Sequence, residues 1–403
     1  MKKFMLTILS IFTIVSICPV VEVSSVAISS TKEDEIITDV TSVIESFYFN
    51  KDVCGKAIDD VYLESNIASF LSDKIETHQY VTDIYDTNKE NYEVDVILLN
   101  ETLHSNILNL EFQVITTYNY VGVDFDTTVS ETVFIEYDYS SNKILDFYVP
   151  LNYYDSFVRS NETTSLNTAD NNGFFINSNI AEKQKNIIDS INDVYASEMA
   201  TINSSKVNTA YVQPRTSTLN HQAIVDWATA NCNKNTPSSG NGTVPYYDFS
   251  EITGSYDCTN FVSHALLAGG ATVNDTGNSG ISSSGWYYRS LSNRSSAWSG
   301  VDQFYNYMST STASNKATAI NNIFQYTYNG AYWGLGSVLQ IDYNSNSGYE
   351  HSTIITKETK SSDGTRSYAY ITSRTSDSSY HKNAAVADEY ATGNKRIINV
   401  YNY

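Results

Sequence analysis

The chain has 403 residues, a formal charge of −21, an isoelectric point near 4.5 and an apolar fraction of 41%. That length allows two domains, each with its own core. The acidic balance excludes a phosphate-neutralising nucleic-acid binder and tight electrostatic adhesion to anionic wall polymers or membranes.

The first 27 residues carry Lys2 and Lys3, an apolar run from Phe4 to Ile17 and a small-residue end at Ser25-Val26-Ala27, so a cleaved secretory signal peptide is expected over 1–27. Lipoprotein processing at Cys18 is disfavoured because bulky Ile17 precedes it. No later run is apolar enough to span a bilayer, so a soluble extracellular chain, most simply a monomer, is expected. The mature chain then holds Cys54, Cys232 and Cys258 in an oxidising location, where one thiol must stay unpaired within the chain. A Cys54–Cys232 bridge would leave Cys258 as that thiol. None of the cysteines has metal-site spacing, and no cofactor or metal is expected.

Residues 28–160 read as a small α+β domain. Ile36, Ile37, Val40, Val43, Ile44, Phe47 and Tyr48 form the apolar face of a helix, opened by Thr31 with Asp34 three residues on. A shorter helix is expected near Ile67 to Ile75. Alternation at Tyr92 to Leu98, Leu108 to Val114 and Val133 to Tyr137, then Ile144 to Val149, predicts four strands. Two helices before an antiparallel sheet suggest a roll of the cystatin-like or nuclear-transport-factor-like kind. His78 and His104 read as structural or surface residues. Composition turns to Ser, Thr, Asn and Gln over the linker, 161–218, with one helix expected near Ile180 to Met199. An inhibitory, pro-region-like role for everything before Asn220 is a hypothesis from position alone.

The third region, 219–403, opens with a helix over Asn220 to Asn231. The stretch Asp257 to Gly270, DCTNFVSHALLAGG, then puts Phe261, Val262, Ala265 and Leu266 on one helical face. Asp257 is the expected N-cap and Gly269-Gly270 the stop, leaving Cys258 in the first turn. There unpaired backbone N–H groups and the helix dipole favour thiolate, while the Asp257 carboxylate opposes it, so a basic partner is required. The competing reading is a buried structural cysteine. Trp286, Tyr287, Tyr288 and Trp298 are core or cleft aromatics, and Val301 to Met308 is a further helix.

The run YDCTNFVSHALLAGG, with GWYYR from Gly285, SSAWSGV from Ser295, GSVLQID from Gly336 and EHSTIIT from Glu350, resembles the putative amidase domain of secreted bacterial proteins. That family is grouped with the papain-like cysteine peptidases. The resemblance covers Asn220 to the C-terminus and implies a papain-like α+β fold with a Cys-His hydrolase acting on amide bonds, in peptidoglycan peptides of the cell wall. The same dyad would serve a secreted peptidase or transferase acting on protein.

Two alternating runs, Val338 to Asp342 and His351 to Ile355, predict a hairpin with His351 at the start of its second strand. The resemblance brings that imidazole to the thiol as its base, which the chemistry needs because a free thiol is mostly protonated at neutral pH. His264 rotates away from Cys258 on its own helix, His221 sits at a helix start, and His381 in a polar tail segment is a reserve. Where relatives carry a His-Thr pair this chain has Arg374, which has no acceptor and cannot orient an imidazole. Thr372, Ser373 or Asp377 could substitute, and Tyr256 is the nearby candidate for the oxyanion, beside the Cys258 N–H. These departures leave room for a weak or inactive enzyme that binds wall material. Asp342, Asn344 and Asn346 have the alternation of a calcium loop but lack its closing glutamate, so a hairpin turn is expected.

Overall fold

The computed structural model describes residues 30–54, 62–150, 152–159, 180–205, 219–234, 244–309, 315–320, 334–343, 348–360, 367–389, 391–392 and 394–402. The expected signal peptide, Asn344 to Asn346, and 161–179 and 206–218 of the linker lie outside them.

The N-terminal half runs α1 (Ser30–Phe49), a π-helical turn (Asn50–Cys54), α2 (Ser65–Tyr85), β1 (Lys89–His104), β2 (Ile107–Tyr120), β3 (Thr127–Asp138), β4 (Lys143–Tyr148), α3 (Tyr153–Arg159) and α4 (Ile180–Ser205). The C-terminal half continues with α5 (His221–Asn231), α6 (Cys258–Ala268), three short strands β5 (Ile281–Ser282), β6 (Tyr288–Ser290) and β7 (Asn293–Ser295), then α7 (Ser296–Ser299) and α8 (Val301–Met308). It ends with β8 (Asn315–Ile320), β9 (Val338–Asp342), β10 (His351–Lys360), β11 (Ser367–Arg374), β12 (Tyr380–Ala385), α9 (Val386–Glu389) and β13 (Asn394–Asn402).

The protein is mixed α+β with a large antiparallel sheet. All four strands expected from alternation form, and their inward residues Leu108, Leu110, Phe112, Val114, Val133 and Ile135 are buried under α1 and α2. Burying a side chain the size of Phe112 contributes about 1.5–3 kcal/mol, which is why period-two apolar spacing survives as strand. The helix expected near Ile67 to Ile75 is longer, because Val81 and Tyr85 extend its buried stripe. Within the linker, α4 buries Ile187, Ile191 and Val194.

The sheet does not stop at β4. Its order is β1-β2-β3-β12-β11-β10-β9-β13-β8, with β4 also on β3. β3 pairs with β12 at Thr128 to Ser130 and with β4 from Phe134 onward, so the sheet splits at Glu131. The C-terminal strands are consequently covered on both faces. Leu339, Ile341, Ile355, Ile371 and Ile397 belong to the core under the N-terminal helices, whereas Val338, Ile354, Ile398 and Val400 pack with α5, α6 and α8.

Two expectations change, at His381 and at Cys232. His381 is not in a tail: it sits in β12, between β3 and β11, its polarity met by side chains described below. His78 takes the structural one of its two expected roles: it is buried, its Nε2 2.8 Å from Asp52, where Lys89 also binds. Cys232 is a free thiol wholly inside the second core, so it forms no bridge to Cys54. Burial pushes that thiol up to about 11. Among the described residues no helix is long and apolar enough to cross a membrane.

Candidate active site

α6 is buried along Cys258 to Leu267 rather than on one stripe alone. Its polar residues are therefore bonded inward: Ser263 Oγ donates to the Trp298 carbonyl, and Asn260 donates to Tyr247 and accepts from the Trp298 indole. The double-glycine stop behaves as expected. Gly270 has φ +90°, and the N–H groups of Ala271 and Gly270 close on the carbonyls of Leu266 and Leu267, the paired bonds of a Schellman end. Gly269 packs so tightly on α5 that a Cβ there would lie 2.4 Å from Ile224 Cγ1.

The helix start is pegged into the sheet. β10 and β11 pair from Ile354–Thr372 onward, and the ladder ends there. The next place is taken by the start of α6: the Asp257 N–H donates to the Thr375 carbonyl at 3.0 Å, and the Ser352 backbone N–H lies near enough to the Cys258 sulfur to favour its thiolate. Thr259 Oγ1 lies 3.0 Å from Ser352 Oγ, which also accepts from Gln340. Cys258 thus sits in a fork between two strands, 4% exposed, beside the residue that follows His351.

Asp257 occupies the N-cap position but its side chain makes no cap bond. It turns back instead, accepting from the Phe249 N–H at 3.0 Å, from Asn260, from the Tyr246 hydroxyl and from Arg374. Arg374 also bonds Asp248, Asp377 and the Cys232 carbonyl, with its side chain entirely buried. The residue that stands where an orienting acceptor was expected is therefore the clamp holding the helix start to the end of β11. Burial, and then Asp248, raise the Asp257 carboxyl to about 7 against those donors.

On β10, side chains alternate. Ser352 and Ile354 face α6, while His351 shares the opposite face with its cross-strand partner Ile341 and with Tyr343, whose ring centre is 6.2 Å away. His381 lies on that same face close enough to oppose a charge on His351. Its Nδ1 is 3.1 Å from Ser373 Oγ and its Nε2 3.4 Å from Glu389. A cleft opens here, lined by Tyr343, His381 and Glu389 of the C-terminal half and by Glu131, Pro150 and Asn152 of the N-terminal half.

The sequence candidates separate accordingly. Ser373 engages His381, and Asp377 engages Arg374. Thr372 bonds Thr356. Tyr256 is half exposed and near enough to the thiol that a thiolate raises its pKa, after burial. His221 bonds the Leu335 carbonyl at 2.8 Å. His264 is enclosed by Trp227, Tyr246 and Trp298, with no hydrogen-bond partner for either ring nitrogen among the described residues. Sequence reasoning missed Glu389 and Ser352: neither stands in a local pattern that sets it apart.

Burial governs the electrostatics. It raises the Cys258 thiol, which the N–H groups of Ser352 and Thr259 only partly offset. Burial, then His381, pushes His351 down to about 3. At neutral pH the thiol and that imidazole are both uncharged. No group of His, Cys, Asp and Glu suited to a metal ion occurs among the described residues.

The fold and site define a mixed α+β domain built round a thiol at a buried helix start, flanked by histidine-bearing strands. Residues 218–399 match the putative amidase domain family, which makes this half hydrolase-like and points to amide hydrolysis. The match begins just before α5 and ends within β13, leaving α1 to α4 and β1 to β4 outside it. No curated protein and no solved structure matches the chain.

Proposed function

We propose that the protein is an exported cysteine amidohydrolase that cleaves amide bonds in peptidoglycan peptides. The observation that carries the reading is the seating of Cys258 at the α6 start in the β10–β11 fork, next to the strand that bears His351. In this reading the sulfur's proton passes, as it attacks the amide carbonyl, to the neutral imidazole of His351, which leaves β10 on the face away from α6 and must turn about its side-chain torsions to reach the thiol; it then protonates the departing amine. Water next attacks the thioester, with His351 as base, and regenerates the thiol. The Cys258 N–H, with Tyr256 beside it, serves the oxyanion. The papain-like assignment rests on resemblance of the cysteine and histidine blocks, and export on the charged, apolar and small-residue pattern of the first 27 residues.

Incubation of the purified protein with sacculi, followed by mass analysis of released fragments, tests this. Release of free stem-peptide amines by the native protein, and none by Cys258→Ala, is expected. Cleavage of protein but not sacculi would move the substrate to polypeptides. A second reading, a wall-binding protein with little activity, is favoured by the buried thiol and by Arg374 standing where an acceptor was expected. Equal sacculus binding by native protein and Cys258→Ala, with no fragments from either, would select it.

A further inference from the structure

Resting on the reading of Cys258 as nucleophile, we propose that Lys89 and Asp388, which the family match leaves on opposite sides of its boundary, are positioning residues for the second histidine of the site. The N-terminal half would then be a working part of the hydrolase through a buried ionic strut.

The strut is continuous. Lys89, at the start of β1, lies 3.1 Å from Asp388 and also bonds Asp52. Asp388 further accepts from Thr87 Oγ1 at 2.5 Å and from the Tyr120 hydroxyl at 3.2 Å, and Tyr120 in turn accepts from the Ala385 N–H at 2.9 Å. Every donor to Asp388 named here comes from the N-terminal half. α9 is a single turn, too short to hold its own direction, so the anchoring of Asp388 sets where the next residue, Glu389, points. Glu389 points at His381. Burial pulls the Glu389 carboxyl up, but His381 outweighs this and leaves it below the usual range. Lys89 is held above its usual range, Asp388 and Asp52 overcoming its burial.

His381 is thereby fixed between Ser373 and Glu389, facing His351, with Glu131 and Lys51 as the other charged groups around the pair. Because a charge on His381 would oppose one on His351, displacing α9 relieves that opposition and strengthens the imidazole that must accept the Cys258 proton. An unattached N-terminal domain would have no such route.

The test reads the thiol directly and needs no substrate. Alkylation of Cys258 by iodoacetamide is followed by mass across pH 5 to 10 in the full chain. Lys89→Met, Asp388→Asn and Glu389→Gln each relieve the opposition of His381 to a charge on His351, and are expected to move the midpoint downward by about one unit, that is, roughly tenfold faster labelling at pH 7. Lys89→Arg should restore the native profile. Lys74→Met breaks another buried pair of the same half, with Asp155, and should lower thermal stability while leaving the midpoint in place. Where Lys89→Met fails to fold, Asp388→Asn decides, since its amide oxygen still accepts from Thr87 and its NH2 can donate to the Tyr120 hydroxyl oxygen. Midpoints of Lys89→Met and Asp388→Asn that coincide with Lys74→Met overturn the strut. A native Cys258 that never labels overturns instead the nucleophile reading on which it rests.

Discussion

Arg374 reaches Asp257 at 3.2 Å with neither side chain exposed, joining the residue before the thiol to the end of β11. Removing one partner of such a pair leaves a charge stranded in a dry site. Arg374→Met is expected to destabilise the fold by about 3–5 kcal/mol, measured by urea unfolding. Arg374→Lys should not recover it, because a point charge cannot bridge Asp248, Asp257 and Asp377 as the planar fork does. A loss within about 0.5 kcal/mol would show that the clamp holds nothing.

The resting state of the site gives a second prediction. With the thiol raised by burial and His351 pushed down to about 3, no thiolate–imidazolium pair exists at neutral pH. Cys258 alkylation should therefore climb steadily on the alkaline side of the ordinary thiol value of about 8.5. A flat, fast plateau between pH 5 and 7 would mean a preformed ion pair.

His264 makes a stability prediction whose sign follows from its aromatic enclosure. Burial pushes its pKa down to about 3, so the folded state holds it neutral while the unfolded chain protonates it below about 6.5. Its contribution is complete above the unfolded value and is lost as pH falls towards the folded one. His264→Phe should accordingly narrow the gap between urea midpoints at pH 8 and pH 4.5. An unchanged gap would show that His264 is not the residue that destabilises the fold in acid.

The matched segment should not fold alone. Residues 218–403 lack β3, the strand that closes the free edge of β12, and leave Ile341, Ile355, Ile371 and Ile397 without the helices that cover them. Expressed alone, this fragment is expected to be insoluble or to lack near-ultraviolet dichroism. A soluble, cooperatively unfolding fragment with activity equal to the full chain would refute this, and an activity above it would support the inhibitory role first suggested by position.

Much of the site's frame was readable in one dimension. The stripe Phe261, Val262, Ala265, Leu266 with Gly269-Gly270 behind it fixes a helix and its end, since both depend on neighbours within a few residues. The same holds for the hairpin, where Val338 to Asp342 and His351 to Ile355 alternate within a short span and then pair in register. Arg374 has no acceptor with which to orient an imidazole, a property its identity alone gives, but its task as a clamp depends on Asp248 and Asp257, 126 and 117 residues earlier. His381 read as tail because His-Lys-Asn breaks the apolar pattern of a central strand, and only Ser373 and Glu389 make it tolerable there.

By itself, the order of residues determined the local pieces: which segments coil, which extend, where the thiol falls in its helix, and the charge the surface carries. The tertiary structure alone decided that Ser130 pairs with Tyr380, that the sulfur fills the gap where the β10–β11 ladder stops, and that the N-terminal half lines the cleft. The reason is physical. Periodicity records which way a side chain faces, whereas pairing between distant strands is fixed by which buried faces and charges complete one another once the chain has closed on itself.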